Sequence, residues 1–541
     1  IGKKIIDDAR CNTEEMVYRK VLRVIVFRFD IHANVHCSAY MNLKNKTNYI
    51  KITRIFTKTT DICTIMKKRF TRTKIVATVG PASSSPEVLK QLILSGVDTF
   101  RLNFSHGTQQ SHKEVISHIK RLNAQLNTHV GILADLQGPK IRIGDVENGS
   151  ITLVPEKEID ITVKQSVCTA QSLFVNYAPF AKEVKPGDLV LLDDGHFILK
   201  VLKSNNKDKV RAKIIYGGVL TSRKGVNLPD SEISLPSLTK KDLSDLQFAL
   251  EQDVNWIALS FVRTAKDITD LKNRIKKSGY EAKVIAKIEK PQAVKNLEDI
   301  LDVTDAVMIA RGDLGVEVPM RDMTIIQKRI VTACINKAKP VIIATQMMQS
   351  MIDSPMPTRA EINDVANGIF DGADALMLSA ETASGKYPVK VIQVMKDIAE
   401  RIEHENSIYN KKLVPLVTSK TRLSDAICYN ACKIAEDVHA KAIISLSRSG
   451  YTAFMISSYR PKADLLVYMD NRKNLNTLNL VWGVRTFFYD KNRTVEDTID
   501  DLKFDLKKQG FVKKNDIVVN TASMPLHWKG STNMLKVGTV D

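Results

Sequence analysis

The sequence predicts an α/β protein: a (β/α)8 TIM barrel, interrupted after its third strand by an inserted β-barrel domain and followed by a C-terminal α/β domain. Three observations carry this. From residue 73, short β-rich apolar runs alternate with amphipathic helical stretches, which is the pattern of parallel βα units. Between about 144 and 235 that rhythm gives way to short alternating strands separated by Gly, Pro and Asp turns. Three runs before the break and five after it make the eight strands of a closed barrel.

In chain order, Thr73 to Val79 reads as the first strand, closed by Gly80-Pro81. Ser85-Pro86 then starts a helix with Val88, Leu89, Leu92 and Ile93 at helical spacing. Thr99 to Phe104 and Val130 to Asp135 are the second and third strands. Within the break, Pro186-Gly187-Asp188 and Asp193-Asp194-Gly195 mark turns. The remaining barrel strands are Trp256 to Phe261, Lys283 to Ile288, Ala306 to Ala310, Pro340 to Thr345 and Ala375 to Leu378. After them come a helix over Leu423 to Val438, a strand over Ala442 to Leu446, a helix over Tyr451 to Ser458, and strands near Leu465, Val484 and Ile517. The expected division is an extension at 1–65, a catalytic barrel at 66–143 and 236–410, a β-rich lid at 144–235 and a C-terminal domain at 411–541.

Composition sets the class. With 541 residues, 44% apolar and 26% charged, the chain is neither disordered, fibrous nor membrane-spanning, and it is too long for a single small module. The balance of 80 basic to 60 acidic side chains leaves +20, which suits polyanionic ligands such as nucleotides or sugar phosphates. No basic helix with base-reading spacing and no aromatic platform points to nucleic acid. Seven scattered cysteines without C-x-x-C spacing predict a reducing compartment. The extension, with 12 basic and 6 acidic side chains, lacks a regular period and is either outside the mature chain, with Met66 as the start, or an organelle-targeting segment. Its Asp7, Asp8, Glu14 and Glu15 weigh against targeting, so a cytoplasmic location is expected.

A barrel of this kind does its chemistry where its strands end. Strand 2 delivers Arg101, Asn103, Ser105 and His106; strand 3 delivers Asp135, Lys140 and Arg142; strand 5 delivers Lys287 and Glu289. Strands 6 to 8 deliver Arg311, Gly312 and Asp313, then Thr345 and Gln346, then Ser379 and Glu381. Glu289 and Asp313 end neighbouring strands and offer hard oxygen ligands to a magnesium ion that keeps some of its waters. Lys287 stands two residues from Glu289 and so faces the same way. Arg101 offers a planar fork for phosphate, and the backbone near Gly312 an anion cradle. Together these groups suit the stabilisation of transferring negative charge, as phosphoryl transfer or enolate chemistry requires. A magnesium-dependent enolate lyase or mutase on the same barrel is the alternative reading.

The segments Lys74–Ser83, Arg101–Gly107, Asp135–Arg142, Lys287-Ile-Glu289, Met308–Glu317 and Ala344–Met347 followed by Pro357–Glu361 resemble pyruvate kinases, collinearly from about residue 71 to the end. The resemblance implies transfer of the phosphoryl group of phosphoenolpyruvate to ADP, giving pyruvate and ATP. It also implies that Arg101 binds the substrate phosphate, Lys287 steadies the phosphoryl group in flight, and Glu289 and Asp313 hold Mg2+ or Mn2+. Gly312, Asp313 and Thr345 would hold the substrate carboxylate, and Thr345 would stand where the enolate is protonated. Asn103, His106, Arg142 and Lys224 match nucleotide-contacting positions. The family is usually a homotetramer.

One departure stands out. Potassium-requiring members have Asp-Thr-Lys-Gly-Pro-Glu at strand 3, whereas this chain has Asp135-Leu136-Gln137-Gly138-Pro139-Lys140. Leu136 has no oxygen for a cation and Lys140 brings its own charge, so activity without potassium is expected even though Asn103, Ser105 and Asp135 match the remaining cation ligands. In the C-terminal domain, Ser447, Arg448, Ser449, Gly450, Tyr451 and Thr452 form a hydroxyl- and glycine-containing loop at a helix start, a phosphate cradle by construction. It resembles the effector loop that binds sugar phosphates in many members of the family, and Lys529–Asn533 resembles the loop that closes beside it.

Overall fold

The computed structural model describes residues 70–231, 233–411, 421–491, 493–524 and 532–541. The expectations placed on residues 1–65, on Met66 and on Lys529 to Ser531 lie outside them.

The first three strands, β1 (Lys74–Thr78), β2 (Thr99–Asn103) and β3 (Gly131–Asp135), fall where the apolar runs predict them. The helix between β1 and β2, Pro86–Ser95, begins as its sequence dictates: Ser85 Oγ accepts the Val88 amide, Pro86 occupies the first turn, and Gly96 ends it at φ +125°. The insertion follows, with β4 (Ser150–Leu153), β5 (Glu158–Thr162), β6 (Ser172–Phe174), β7 (Leu189–Leu192), β8 (Phe197–Ser204), β9 (Lys209–Tyr216), β10 (Gly218–Thr221) and β11 (Val226–Asn227). Alternation places Phe197, Leu199 and Val201 of β8, with Val210, Ala212 and Ile214 of β9, in one core. The insertion's ladder is a six-stranded sheet, β11-β7-β8-β9-β5-β6, and a separate pair, β10-β4. These two sheets wrap one hydrophobic core, as the β-rich insertion read from the sequence requires, and isolated bridges such as Ile143 to Val175 join its base.

The barrel resumes with β12 (Trp256–Leu259), β13 (Lys283–Ile288), β14 (Ala306–Ala310), β15 (Val341–Ala344) and β16 (Ala375–Leu378). It closes in the order β1-β16-β15-β14-β13-β12-β3-β2, every pairing parallel. Its interior is packed with inward-facing side chains including Val76, Leu133, Trp256, Ile285, Met308 and Ile342. The helices cover the outside with a second apolar layer.

The C-terminal sheet runs β19 (Val484–Phe488), β18 (Asp464–Met469), β17 (Ala442–Leu446), β20 (Ile517–Ala522) and β21 (Met534–Thr539), parallel except for β21. Helices Arg422–Asp437 and Tyr451–Ser458 match the predicted pair within one residue at each end. This domain packs on the N-terminal end of the barrel: Leu480 joins the barrel interior cluster, and the Trp256 indole donates to the Thr477 carbonyl at 3.2 Å. The opposite end, where the strands finish, faces the insertion. Among the described residues no helix is long and apolar enough to cross a membrane.

Candidate active site

At that end, charges converge. Lys287, the fifth residue of β13, is buried and reaches three partners: Glu289 Oε1 at 2.8 Å, Asp135 Oδ1 at 3.2 Å and the Ser260 hydroxyl at 2.8 Å. Asp135 ends β3 and is also held by Arg101, whose Nε donates to Oδ2 at 2.7 Å while Nη1 donates to Thr78 Oγ1 at 3.1 Å. Glu289 accepts the backbone N–H of Phe261 on its other oxygen at 2.7 Å. Four charged groups from β2, β3 and β13 thus form one buried network, with β1 and β12 contributing neutral donors and acceptors.

The network sets each protonation state. Burial alone would push the Asp135 carboxyl up, but Lys287 and Arg101 outweigh it and hold it below the ordinary range. Burial would likewise pull the Lys287 ammonium down, yet Asp135 and Glu289 raise it above that of a free lysine. The Glu289 carboxyl is pushed up, first by burial and then by the charge of Asp313, against the pull of Lys287. Two acidic side chains brought within electrostatic reach of each other suit a divalent cation, which would relieve their repulsion. Among the described residues no three or more His, Cys, Asp or Glu side chains gather to hold an ion unaided. The rest of its shell would be water and substrate, as magnesium prefers.

Thr345 and Gly312 meet directly: the Gly312 N–H donates to Thr345 Oγ1 at 2.7 Å, and that hydroxyl donates to the Ala344 carbonyl at 2.6 Å. The loop after β15 is strained, with Thr345 at φ +71° and Gln346 at φ +55°. For a β-branched residue this conformation is a true outlier, of the kind held at functional sites. Arg311 braces the turn, donating to the Thr345 carbonyl at 2.9 Å and pairing with Asp364 at 2.7 Å.

Two clefts open at this end. One, of about 670 Å³, is lined by Thr78, Pro81, Arg101, Asn103, His106 and Ser379 among others, a volume in the range of nucleotide-sized ligands. The other is lined by Lys140, Asp194, Asn227, Arg263, Lys290 and Asp313 and lies between barrel and insertion. Arg142 and Lys224 line neither: Arg142 donates to the Arg223 carbonyl at 3.0 Å, and Lys224 pairs with Asp193 at 3.0 Å. Lys140 is exposed and forms no ion pair with a described residue, so the cations on Asp135 are Arg101 and Lys287. Ser105 is exposed, and its N–H donates to Asn103 Oδ1 at 3.1 Å. Sequence reasoning missed Thr78, Ser260 and Phe261. Thr78 ends the first strand and Ser260 and Phe261 follow the fourth, where the useful groups are hydroxyls and a backbone N–H rather than charges.

Comparison with known proteins decides the family. The profile described as pyruvate kinase, barrel domain, matches residues 70–392, and that of the pyruvate kinase alpha/beta domain matches 425–538. The chain belongs to the pyruvate kinase family. Pyruvate kinase 2 of Synechocystis sp. is 43% identical over 87% of this chain and 79% of its own length. The pyruvate kinase of Agrobacterium vitis is 42% identical, covering 86% of this chain and 98% of its own. A crystal structure of a pyruvate kinase from Cryptosporidium parvum superimposes with a TM-score of 0.81 at 31% identity, covering 89% of this chain and 97% of the other. Pyruvate kinases use a divalent metal with phosphoenolpyruvate and ADP, and give pyruvate and ATP.

In the C-terminal domain, the effector-like loop is ordered by its own side chains. Ser447 Oγ accepts the Gly450 N–H at 3.1 Å, and Gly450 takes φ +83° to start the following helix. Tyr451 donates to Asp425 at 2.5 Å, and Arg448 lies 3.7 Å from Asp470. The hydroxyls of Thr452 and Thr532 meet at 2.6 Å, which brings the described end of the C-terminal loop beside this one.

Proposed function

We propose that the buried network of Lys287, Asp135, Arg101 and Glu289 transfers the phosphoryl group of phosphoenolpyruvate to ADP; the convergence of these four side chains at the strand ends carries this reading. Arg101 orients the substrate phosphate, and its bonds to Asp135 and Thr78 fix the plane of the guanidinium. Lys287 presents a fixed positive charge to the phosphoryl group as its bond to the enol oxygen breaks and the bond to the ADP oxygen forms. Glu289 and Asp313 would hold Mg2+ or Mn2+, which supplies charge neutralisation on the transferring oxygens. The Gly312 and Asp313 amides with Thr345 take the substrate carboxylate, and the Thr345 hydroxyl exchanges its present bond with Gly312 for a contact to the substrate. The resulting enolate takes a proton at its methylene carbon from a water molecule on the Thr345 side, and that water regains its proton from solvent. The cleft shared by Asn103 and His106 receives the nucleotide, while Arg142 and Lys224 reach its phosphates only when the insertion, residues 144–235, closes as a lid.

Potassium is not required in this reading. Lys140 lines the same cleft as Asp313, and its ammonium supplies from the cleft wall the charge that a bound monovalent cation would bring. Lys140→Glu is therefore expected to lose most turnover in potassium-free buffer. Undiminished turnover there excludes the role.

The deciding assay is pyruvate formation from phosphoenolpyruvate and ADP with magnesium, run with and without potassium. Equal rates support both the reaction and the built-in cation; potassium-dependent rates keep the reaction alone; no pyruvate in either buffer returns enolate lyase chemistry. Further readings are a phosphorylated allosteric effector at Ser447 to Thr452, a homotetramer in the cytoplasm, and the domain division given above.

A further inference from the structure

Glu317 closes the short helix Arg311–Glu317 that follows β14, and no step of the reaction above uses it. Its side chain is 1% exposed, an unusual place for a carboxylate, and it is held from two directions. Lys290 Nζ lies 2.5 Å from Oε1, and the same oxygen accepts the Asn227 side-chain amide at 2.7 Å. Oε2 is buried and has no hydrogen-bond partner among the described residues, so the charge leans on those two donors. Each donor belongs to a different part of the molecule. Lys290 follows Glu289 directly, just past the end of β13, whereas Asn227 lies on β11 of the insertion. Glu317 itself stands four residues after Asp313 on one helix, a spacing that makes the two neighbours on one face. Two further contacts bring the insertion to the same place. Arg263 donates to the Ile233 carbonyl, in the segment that leaves the insertion. Gly195, in the turn between β7 and β8, lies where a Cβ would come within 3.8 Å of Val316. β11 pairs with β7, and Lys224 pairs with Asp193 of that turn at 3.0 Å, so Asn227 sits on a braced part of the insertion.

We infer that Glu317 is a positioning residue that links the seating of the insertion to the spacing of Glu289 and Asp313, so that metal affinity and that seating depend on each other. The inference rests on the assignment of those two carboxylates to the metal. Lys290 ties Glu317 to the strand end that carries Glu289, which sets the distance between the two segments bearing the metal carboxylates. That tie is complete only with Asn227 in place. Without its amide, a buried carboxylate keeps a single donor, and either water must enter or the helix must shift to satisfy it. The seated insertion therefore favours one placement of the helix Arg311–Glu317, and with it of Asp313. A cation held by Glu289 and Asp313 favours one placement of the same helix. Where the two placements coincide, each event strengthens the other by the same factor.

The test is Mn2+ binding to the full chain without substrates, measured by electron paramagnetic resonance, for wild type, Glu317→Gln, Asn227→Ala and Glu289→Gln. Glu317→Gln keeps the shape of the side chain and removes its charge. It is expected to weaken Mn2+ binding about tenfold, the loss typical of removing a group that orients metal ligands. Asn227→Ala, at a half-buried position of the insertion, is expected to weaken it by more than about twofold, as loss of one hydrogen bond implies. Amide exchange supplies a second reading. The Val226 N–H donates to the Ile141 carbonyl at 3.0 Å, and Mn2+ is expected to slow its exchange in wild type but not in Asn227→Ala. A side chain that only fills space produces no such metal-dependent difference. Should Glu317→Gln fail to fold, with Lys290 left unpaired, Asn227→Ala carries both readings. Mn2+ affinity within about twofold of wild type in Asn227→Ala, or equal protection of Val226 in both proteins, overturns the link. If Glu289→Gln binds Mn2+ as wild type does, the metal assignment falls and this inference with it. Weakened binding in Glu289→Gln with unchanged binding in Glu317→Gln faults this inference alone.

Discussion

Lys287→Met is expected to lower kcat for pyruvate formation by about a thousandfold, the loss typical of removing one fixed group that stabilises transition-state charge. Lys287 is buried among Asp135, Glu289 and Ser260, so no mobile surface lysine or solvent cation can replace it. Substrate binding should suffer less, since Arg101 and the Thr345 turn remain. The ammonium also sits 2.8 Å from Glu289 Oε1, where it competes with a metal ion for that oxygen. The variant should therefore bind Mn2+ at least as tightly as wild type, measured by electron paramagnetic resonance, and that result separates lost catalysis from a collapsed site. Lys287→Arg is not expected to rescue, because a planar fork does not fit a niche shaped for a point charge. Turnover within about tenfold of wild type would remove Lys287 from the chemistry.

Most of the barrel was legible because its strands are buried on both faces and so read as continuous apolar runs. β13, β14 and β16 match their predicted limits, and the others are one or two residues shorter in all. At β12 the trimming falls where a functional turn begins: Ser260 and Phe261 extend the apolar run after β12, but Phe261 takes φ +54° to aim its N–H at Glu289. The final strand β21 went unread because Lys536 and Gly538 interrupt it and it stands at the sheet edge, paired only with β20. In the insertion, period-two alternation identified strands without specifying how they pair, and pairing decides whether a sheet closes.

Legibility of the site follows charge. Lys287, Glu289, Arg101 and Asp313 stand out in the sequence because a charged residue in or just past an apolar strand contradicts its surroundings. Thr78 and the Phe261 N–H contribute equally firm bonds yet leave no such mark. Asp135 matches a cation ligand in the sequence, and in the structure it is the counter-ion that Arg101 and Lys287 share. A sequence gives no sign of which cations a buried carboxylate will meet. Lys140 shows the same limit, since the sequence placed its charge near the cation region without showing that its side chain lines the cleft beside Asp313.

Arg460→Leu is expected to destabilise the protein by about 3–5 kcal/mol, because it strands a buried carboxylate. Arg460 is 1% exposed and pairs with Asp374 through both terminal nitrogens, at 3.2 and 3.0 Å. The same guanidinium donates to the Gly372 carbonyl at 2.7 Å and the Ser457 carbonyl at 2.9 Å, and it stacks 4.9 Å from the Trp482 ring. It thus joins the C-terminal domain to the loop before β16. Asp374 in turn accepts the Val341 N–H at 3.0 Å and the Trp482 N–H at 3.2 Å, so its charge cannot be given up without loosening β15 as well. In Arg460→Leu that charge keeps two backbone donors and loses its cation. The expected signature is a lower urea midpoint, together with faster amide exchange at Val341 and Trp482 than at the far side of the barrel. Arg460→Lys restores the charge but not the two-pronged contact or the stacking, and should recover only part of the loss. If Arg460→Leu unfolds within about 1 kcal/mol of wild type, the pair only fills space and the junction is held by the apolar contact of Leu480 and Trp256.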